Sequence, residues 1–172
     1  MALEELTTAG ADATWWEVSL RLVLSVVFAG CVGWERESRG RAAGLRTHMM
    51  VALGAAGFTT IALDVGVLLP EDGATGVSVD PVRIVAAIVG GIGFLGAGAI
   101  IQSRGEVKGL TTAAGLWVTA AIGAAAGLGL YVVAVMLTLI SVLTLRGVHV
   151  LERRMRNGGT EVARVDGASQ EE

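Results

Sequence analysis

The fold is decided by residues 109–145, GLTTAAGLWVTAAIGAAAGLGLYVVAVMLTLISVLTL, a run without a single charged side chain. A helix needs about 20 apolar residues to cross a hydrocarbon core roughly 30 Å thick. This run is about twice that length, so it reads as two spans joined by a tight turn. The turn belongs at Gly127-Leu128-Gly129, where glycine permits a sharp reversal. The spans are then Leu110–Gly127 and Leu128–Leu145. Ile84–Ser103 is a second uncharged run, and it reads as a further span, Val82–Ile101. Working outward, Val18–Trp34 and Thr47–Leu69 complete five spans.

Composition agrees. The chain has 172 residues, of which 53% are hydrophobic and only 5% aromatic, with 25 glycines. Its mean hydropathy is +0.65, too apolar for a soluble domain of this length. Abundant small residues fit membrane helices, whose backbones approach closely. The single cysteine, Cys31, cannot form an intrachain disulfide. Residues 1–17 hold Glu4, Glu5, Asp12 and Glu17 and no basic residue, so they do not read as a cleavable signal peptide.

The basic residues set the orientation. Arg36, Arg39, Arg41 and Arg46 follow the first span; Arg104 and Lys108 follow the third; Arg146, Arg153, Arg154 and Arg156 follow the fifth. The alternate segments carry no Lys or Arg, while Pro70–Asp80 holds Glu71, Asp72 and Asp80. By the positive-inside rule the N-terminus lies outside and the C-terminus in the cytoplasm. The expected class is therefore all-α: a polytopic membrane helical bundle of five transmembrane helices. Its parts are an extracytoplasmic tail (1–17), a membrane domain (18–147) and a polar cytoplasmic tail (148–172), disordered towards its end. Asp80-Pro81 is an N-cap followed by a proline at the first helical position of the third span. Thr47 is the expected cap of the second.

Gly91-Ile92-Gly93-Phe94-Leu95-Gly96 has the spacing of a dinucleotide fingerprint. That chemistry needs a strand before the glycines and a helix opening at them, whereas these lie inside a span. Gly90, Gly93, Gly96 and Gly98, with Gly115 and Gly123 of the fourth span, read instead as helix-packing positions. Whether they pack within one chain or between copies in a homo-oligomer stays open. Charge is costly at membrane depth, so Asp64, Arg83, Thr111 and Thr112 are the intramembrane polar candidates. Asp64 and Arg83 flank one short outer loop and are expected to pair. Glu17 and Arg21 form a second expected pair, four residues apart on a helix. Mg²⁺ demands octahedral oxygen ligation, and no dense oxygen cluster is visible. His48 and His149 stand without nucleophile or metal-ligand spacing around them. No catalytic residue, cofactor or nucleic-acid partner is called for, and no metal ligand can be named. The densest polar stretch is residues 35–48. Glu35, Arg36, Arg39, Arg41 and Arg46, with Lys108, read as a structured cytoplasmic surface that binds a partner.

The same loops carry a resemblance. Trp34-Glu35-Arg36-Glu37 through Gly40-Arg41-Ala42-Ala43-Gly44-Leu45-Arg46-Thr47-His48 resembles the first signature of the MgtC/SapB membrane proteins. Asp80-Pro81-Val82-Arg83-Ile84 with Gly91–Gly98 resembles the second. Val107-Lys108-Gly109-Leu110-Thr111-Thr112-Ala113-Ala114, Leu116-Trp117 and Ala120–Gly123 resemble the third. Order and spacing match from about Val18 to Leu145. The chain is similar to the short, membrane-only form that lacks a soluble C-terminal domain. The resemblance implies a multi-pass protein of a bacterial or archaeal plasma membrane, linked to growth under magnesium limitation. It implies a regulator that binds another membrane complex, such as an F-type ATP synthase, or alternatively a transporter of Mg²⁺ or another cation.

The orientation is tested by cysteine labelling from outside, with Cys31 replaced. A cysteine placed at Gly73 is expected to react, and one at Gly105 or Gly158 is not. Labelling at Gly105 would invert the topology.

Overall fold

The computed structural model describes residues 14–68, 81–103 and 106–147. The two terminal tails, the loop through Asp80, and Gly105 lie outside the described residues.

Five helices are present among the described residues: α1 (Trp15–Ser38), α2 (Leu45–Leu68), α3 (Pro81–Ala99), α4 (Leu110–Gly127) and α5 (Tyr131–Gly147). The first four are long and apolar enough to cross a membrane, and α5 is a shorter apolar helix. The five spans read from the sequence are thus five helices. Between α3 and α4 lies an element the sequence reading did not anticipate. It is an antiparallel hairpin of β1 (Ile101–Ser103) and β2 (Glu106–Lys108), with Gln102 opposite Val107.

Glycine ends two helices in the same way. At the end of α1, Gly40 N–H donates to the Glu37 carbonyl (2.9 Å) and Arg41 N–H to that of Arg36 (3.1 Å). At the end of α4, Gly129 N–H donates to Ala126 (3.0 Å) and Leu130 N–H to Ala125 (2.8 Å). Both are Schellman motifs, and they need a left-handed residue after the helix. Gly40 and Gly129 supply it, with φ of +62° and +75°. The reversal placed at residues 127–129 is this second motif.

Helix α4 is central. Over half of its residues (56%) are buried, against 11% of the α3 span. One side of α4 packs Ile122, Ala125 and Ala126 against Val32 of α1 and Ala134 of α5. Another sets Ala120 against Ala55 of α2 and Ile92 of α3. The α4–α2 contact is backbone to backbone. A methyl group at Gly123 would strike the Ala52 backbone, with Cα only 2.7 Å away. At Gly127 it would meet Ala56 Cα at 2.9 Å. Gly33 of α1 is equally tight, since a methyl group there would lie 2.8 Å from Leu45 Cα.

The glycines of α3 behave differently. A methyl group at Gly96 would lie 3.6 Å from Ala113 Cβ, whereas one at Gly90, Gly93 or Gly98 would meet nothing within 4 Å among the described residues. The packing role expected for these three is therefore not met among the described residues. The reason is geometric: α3 touches the bundle along one narrow edge, through Ile88 and Ile92, and leaves most of its surface to the surroundings.

This contrast is testable. Gly123→Ala is expected to cost about 1–3 kcal/mol through overpacking, lowering thermal stability in detergent. Gly93→Ala is expected to leave it within about 0.5 kcal/mol. Equal losses in the two variants would refute the distinction.

Candidate functional site

A group of buried polar side chains gathers where α1 ends and where α2 and α4 begin. Close packing makes this possible. Gly33 lets α1 lie against Leu45 and His48 at the start of α2. Gly115 of α4 lies beside His48 Nε2, where a methyl group would sit at ordinary contact distance, 3.6 Å.

Three ionisable residues are sealed into this end: Glu35 (1% exposed), Arg36 (4%) and His48 (0%). Glu35 pairs with Arg39, one helical turn on. Among the described residues neither Glu35 oxygen receives a well-formed hydrogen bond. Arg36 donates a long bond, 3.5 Å, to Thr112 Oγ1 and so ties the end of α1 to the start of α4. Its Nε has no partner among the described residues. His48 Nδ1 lies 2.9 Å from the Gly44 carbonyl. A carbonyl can only accept, so Nδ1 carries the proton and Nε2 of the neutral ring is a buried acceptor. Nε2 also lacks a partner. This end of the bundle is thus a buried polar node with several hydrogen-bonding atoms that have no partner among the described residues.

Above the node the loop is fixed by Glu37, whose Oε2 accepts the Leu45 N–H at 2.7 Å. A carboxylate at a helix N-terminus satisfies an orphan donor and meets the positive end of the dipole. The capping role expected of Thr47 is therefore performed by Glu37, from across the loop, and Thr47 lies inside α2. Gly109 closes the neighbouring loop. Its φ is +93°, and a methyl group there would collide with the Ala99 carbonyl.

The expected cytoplasmic surface divides in two. Arg41, Arg46 and Lys108 are exposed and Arg39 is half-buried. Lys108 pairs with Glu106 at 3.0 Å, both well exposed, an arrangement worth little energy. Glu35 and Arg36 are not on the surface but beneath it. Helical position explains this: both share the face of α1 that carries the buried Val32 and Gly33. His48 and Glu37 were not singled out from the sequence. The signal that marks His48 is its place four residues after Gly44, opposite Gly33 and Gly115.

The intramembrane candidates are not brought together. Thr112 belongs to the node, while Thr111 is exposed. Asp64 and Arg83 form no ion pair among the described residues; Asp64 is half-buried and Arg83 exposed. Buried Thr59, Thr60, Thr119 and Thr138 each donate to the carbonyl four residues back, at 2.7–2.9 Å. At the opposite end the expected Glu17–Arg21 pair forms at 2.9 Å. Arg21 also donates to the Gly127 carbonyl at 3.3 Å, placing a cation at the α4 C-terminus.

These features define a multi-pass helical membrane protein with a buried polar node at one end. The MgtC family matches residues 22–154, and the chain belongs to that family. It is 40% identical over 142 residues to YhiD of Escherichia coli (strain K12), whose name proposes magnesium transport. That alignment covers 82% of this chain and 65% of YhiD. It is 36% identical over 148 residues to protein SrpB of Synechococcus elongatus, covering 81% of this chain and 79% of that one. It is 45% identical over 104 residues to protein MgtC of Brucella abortus, covering 60% and 40% respectively. The chain thus spans less than two thirds of YhiD and of the Brucella protein. No solved structure matches it.

The node has an asymmetric weak point. Arg39→Ala leaves Glu35 buried without its cation and is expected to cost about 3 kcal/mol. Glu35→Gln is expected to cost less, because half-buried Arg39 can turn to water. Unfolding of both variants in detergent checks the order, and a larger loss for Glu35→Gln would refute it.

Proposed function

We propose that this chain is a non-catalytic, partner-binding regulatory module of a bacterial or archaeal plasma membrane, linked to homeostasis under magnesium limitation. One observation carries the reading. The buried node of Glu35, Arg36 and His48 underpins a loop and the helix start that follows it, from which Arg41 and Arg46 respectively stand out. The hairpin bearing Lys108 runs directly into α4, beside Thr112 of that node. A surface ordered before binding avoids much of the entropy cost of association. Arginine is among the residues enriched at protein interfaces. The positive-inside pattern assigns this end to the cytoplasm, where the same arginines also favour anionic lipid. The partner is a second membrane protein complex, an F-type ATP synthase being one of suitable kind.

Transport of Mg²⁺ or another cation is the second reading, favoured by the magnesium wording in the name of YhiD. The side chains support it less. Among the described residues no three of His, Cys, Asp or Glu converge on a point, and Mg²⁺ needs several oxygens at once.

The combined substitution Arg41→Glu, Arg46→Glu and Lys108→Glu is expected to abolish cross-linking to the partner in native membranes. Yield and thermal stability should hold, because all three side chains are exposed. The purified parent in proteoliposomes is expected to show no Mg²⁺ flux above that of empty vesicles. Flux that Asp64→Asn stops and the charge reversals leave intact would reject the module in favour of the transporter.

A further inference from the structure

Helices α2 and α3 touch only sparingly, and an elongated groove of about 870 Å³ opens between them. Its walls are apolar: Gly54, Phe58 and Ile61 from α2, and Ile88, Gly91 and Leu95 from α3. Gly54 and Gly91 leave it wide, since among the described residues neither has a heavy atom within 4 Å of where a side chain would begin. One charged residue lines it, Arg83, at the start of α3. Arg83 has no ion-pair partner among the described residues.

We propose that this groove is a binding site for an anionic phospholipid, with an acyl chain between α2 and α3 and the headgroup phosphate on Arg83. Three observations converge on that occupant. The groove lies between two helices that each qualify as membrane spans, so lipid is the solvent that fills it. It runs along α3 from Arg83 to Leu95, twelve residues or about 18 Å of helical rise. That is close to the depth of one leaflet, half of a core about 30 Å thick. Finally, the cation stands at the end of the groove nearest the helix terminus, at headgroup depth, where guanidinium binds phosphate by charge-assisted hydrogen bonds. A second copy of the chain suits the groove less well. Docking about an axis along the membrane normal would set two Arg83 side chains at the same depth.

The test uses the full chain purified in detergent and native mass spectrometry. Dioleoyl phosphatidylglycerol is compared with dioleoyl phosphatidylcholine, which has the same chains and no net charge. The parent is expected to bind the anionic lipid about fivefold more tightly, the factor that one basic residue gives near a membrane surface. Arg83→Gln should remove most of that preference, leaving only what the exposed arginines of the opposite end supply, and Arg83→Lys should retain it. Gly91→Leu, which narrows the groove in open space, should weaken both lipids several-fold and keep the preference. Equal binding of the two lipids by the parent overturns the proposal without recourse to any variant. So does a preference that Arg83→Gln leaves unchanged, or lipid binding that Gly91→Leu leaves unchanged. A mass of two chains that persists without lipid and is lost in Gly91→Leu would assign the groove to a second copy and overturn it as well.

Discussion

The contact of α4 on α2 is the constraint from which the remaining structure follows. Lipid offers no hydrophobic drive between helices, so association rests on close packing and on polar groups that find partners. Gly123 and Gly127 bring α4 onto the backbone of Ala52 and Ala56 with no room for a methyl group between them. With α2 held at that distance, Gly33 can seat α1 against its first turn. That closes the space around His48 and Glu35. The buried node is therefore a consequence of backbone proximity: charges that would reach water in a looser bundle are enclosed in this one.

Enclosure sets the energetics of the 35–48 stretch. A buried carboxylate costs several kcal/mol unless it is paired, and Arg39 is placed one turn away to do so. Arg36 reaches a hydroxyl on a different helix. Glu37 caps the next helix across the loop. Three consecutive charged residues thus perform three separate structural tasks within one turn of α1. The exposed arginines that follow have no such task, and the loop presents them as a consequence of what lies beneath.

Much of this was legible in one dimension. Charge-free runs of fixed length mark spans because backbone and charge are both penalised in hydrocarbon, and α4 falls on the residues that the pattern gives. Gly129 marks its turn because a left-handed residue is required there. What sequence could not resolve is which face of a helix meets a neighbour. Glu35 and Arg36 read as surface because they sit at the end of a span amid other charges. Only the seating of α1 on α2 turns their face inward. Thr47 read as a cap because local chemistry favours it, whereas the actual cap comes from eight residues before Leu45, through a loop whose path depends on Gly40 and Gly44. The hairpin was hidden because strands of three residues carry no periodic signal.

Glycine illustrates the same limit more sharply. Gly123 and Gly93 have similar sequence surroundings, small residues spaced along an apolar helix. One is pressed against backbone and the other faces open space. A small-residue ribbon records that close approach is allowed, not that it occurs. The difference arises because α4 is surrounded by neighbours while α3 is held along one edge. The bundle is consequently uneven, with a tight group of α1, α2 and α4 and a loosely attached α3. Polar chemistry follows the same division. The hydroxyls at membrane depth are turned onto their own helices, and the Glu35–Arg36–His48 node is buried at one end of the tight group. Among the described residues the interior between the two ends carries no continuous polar path. The described chain thus presents exposed charge at one end of the tight group and an open apolar face along α3.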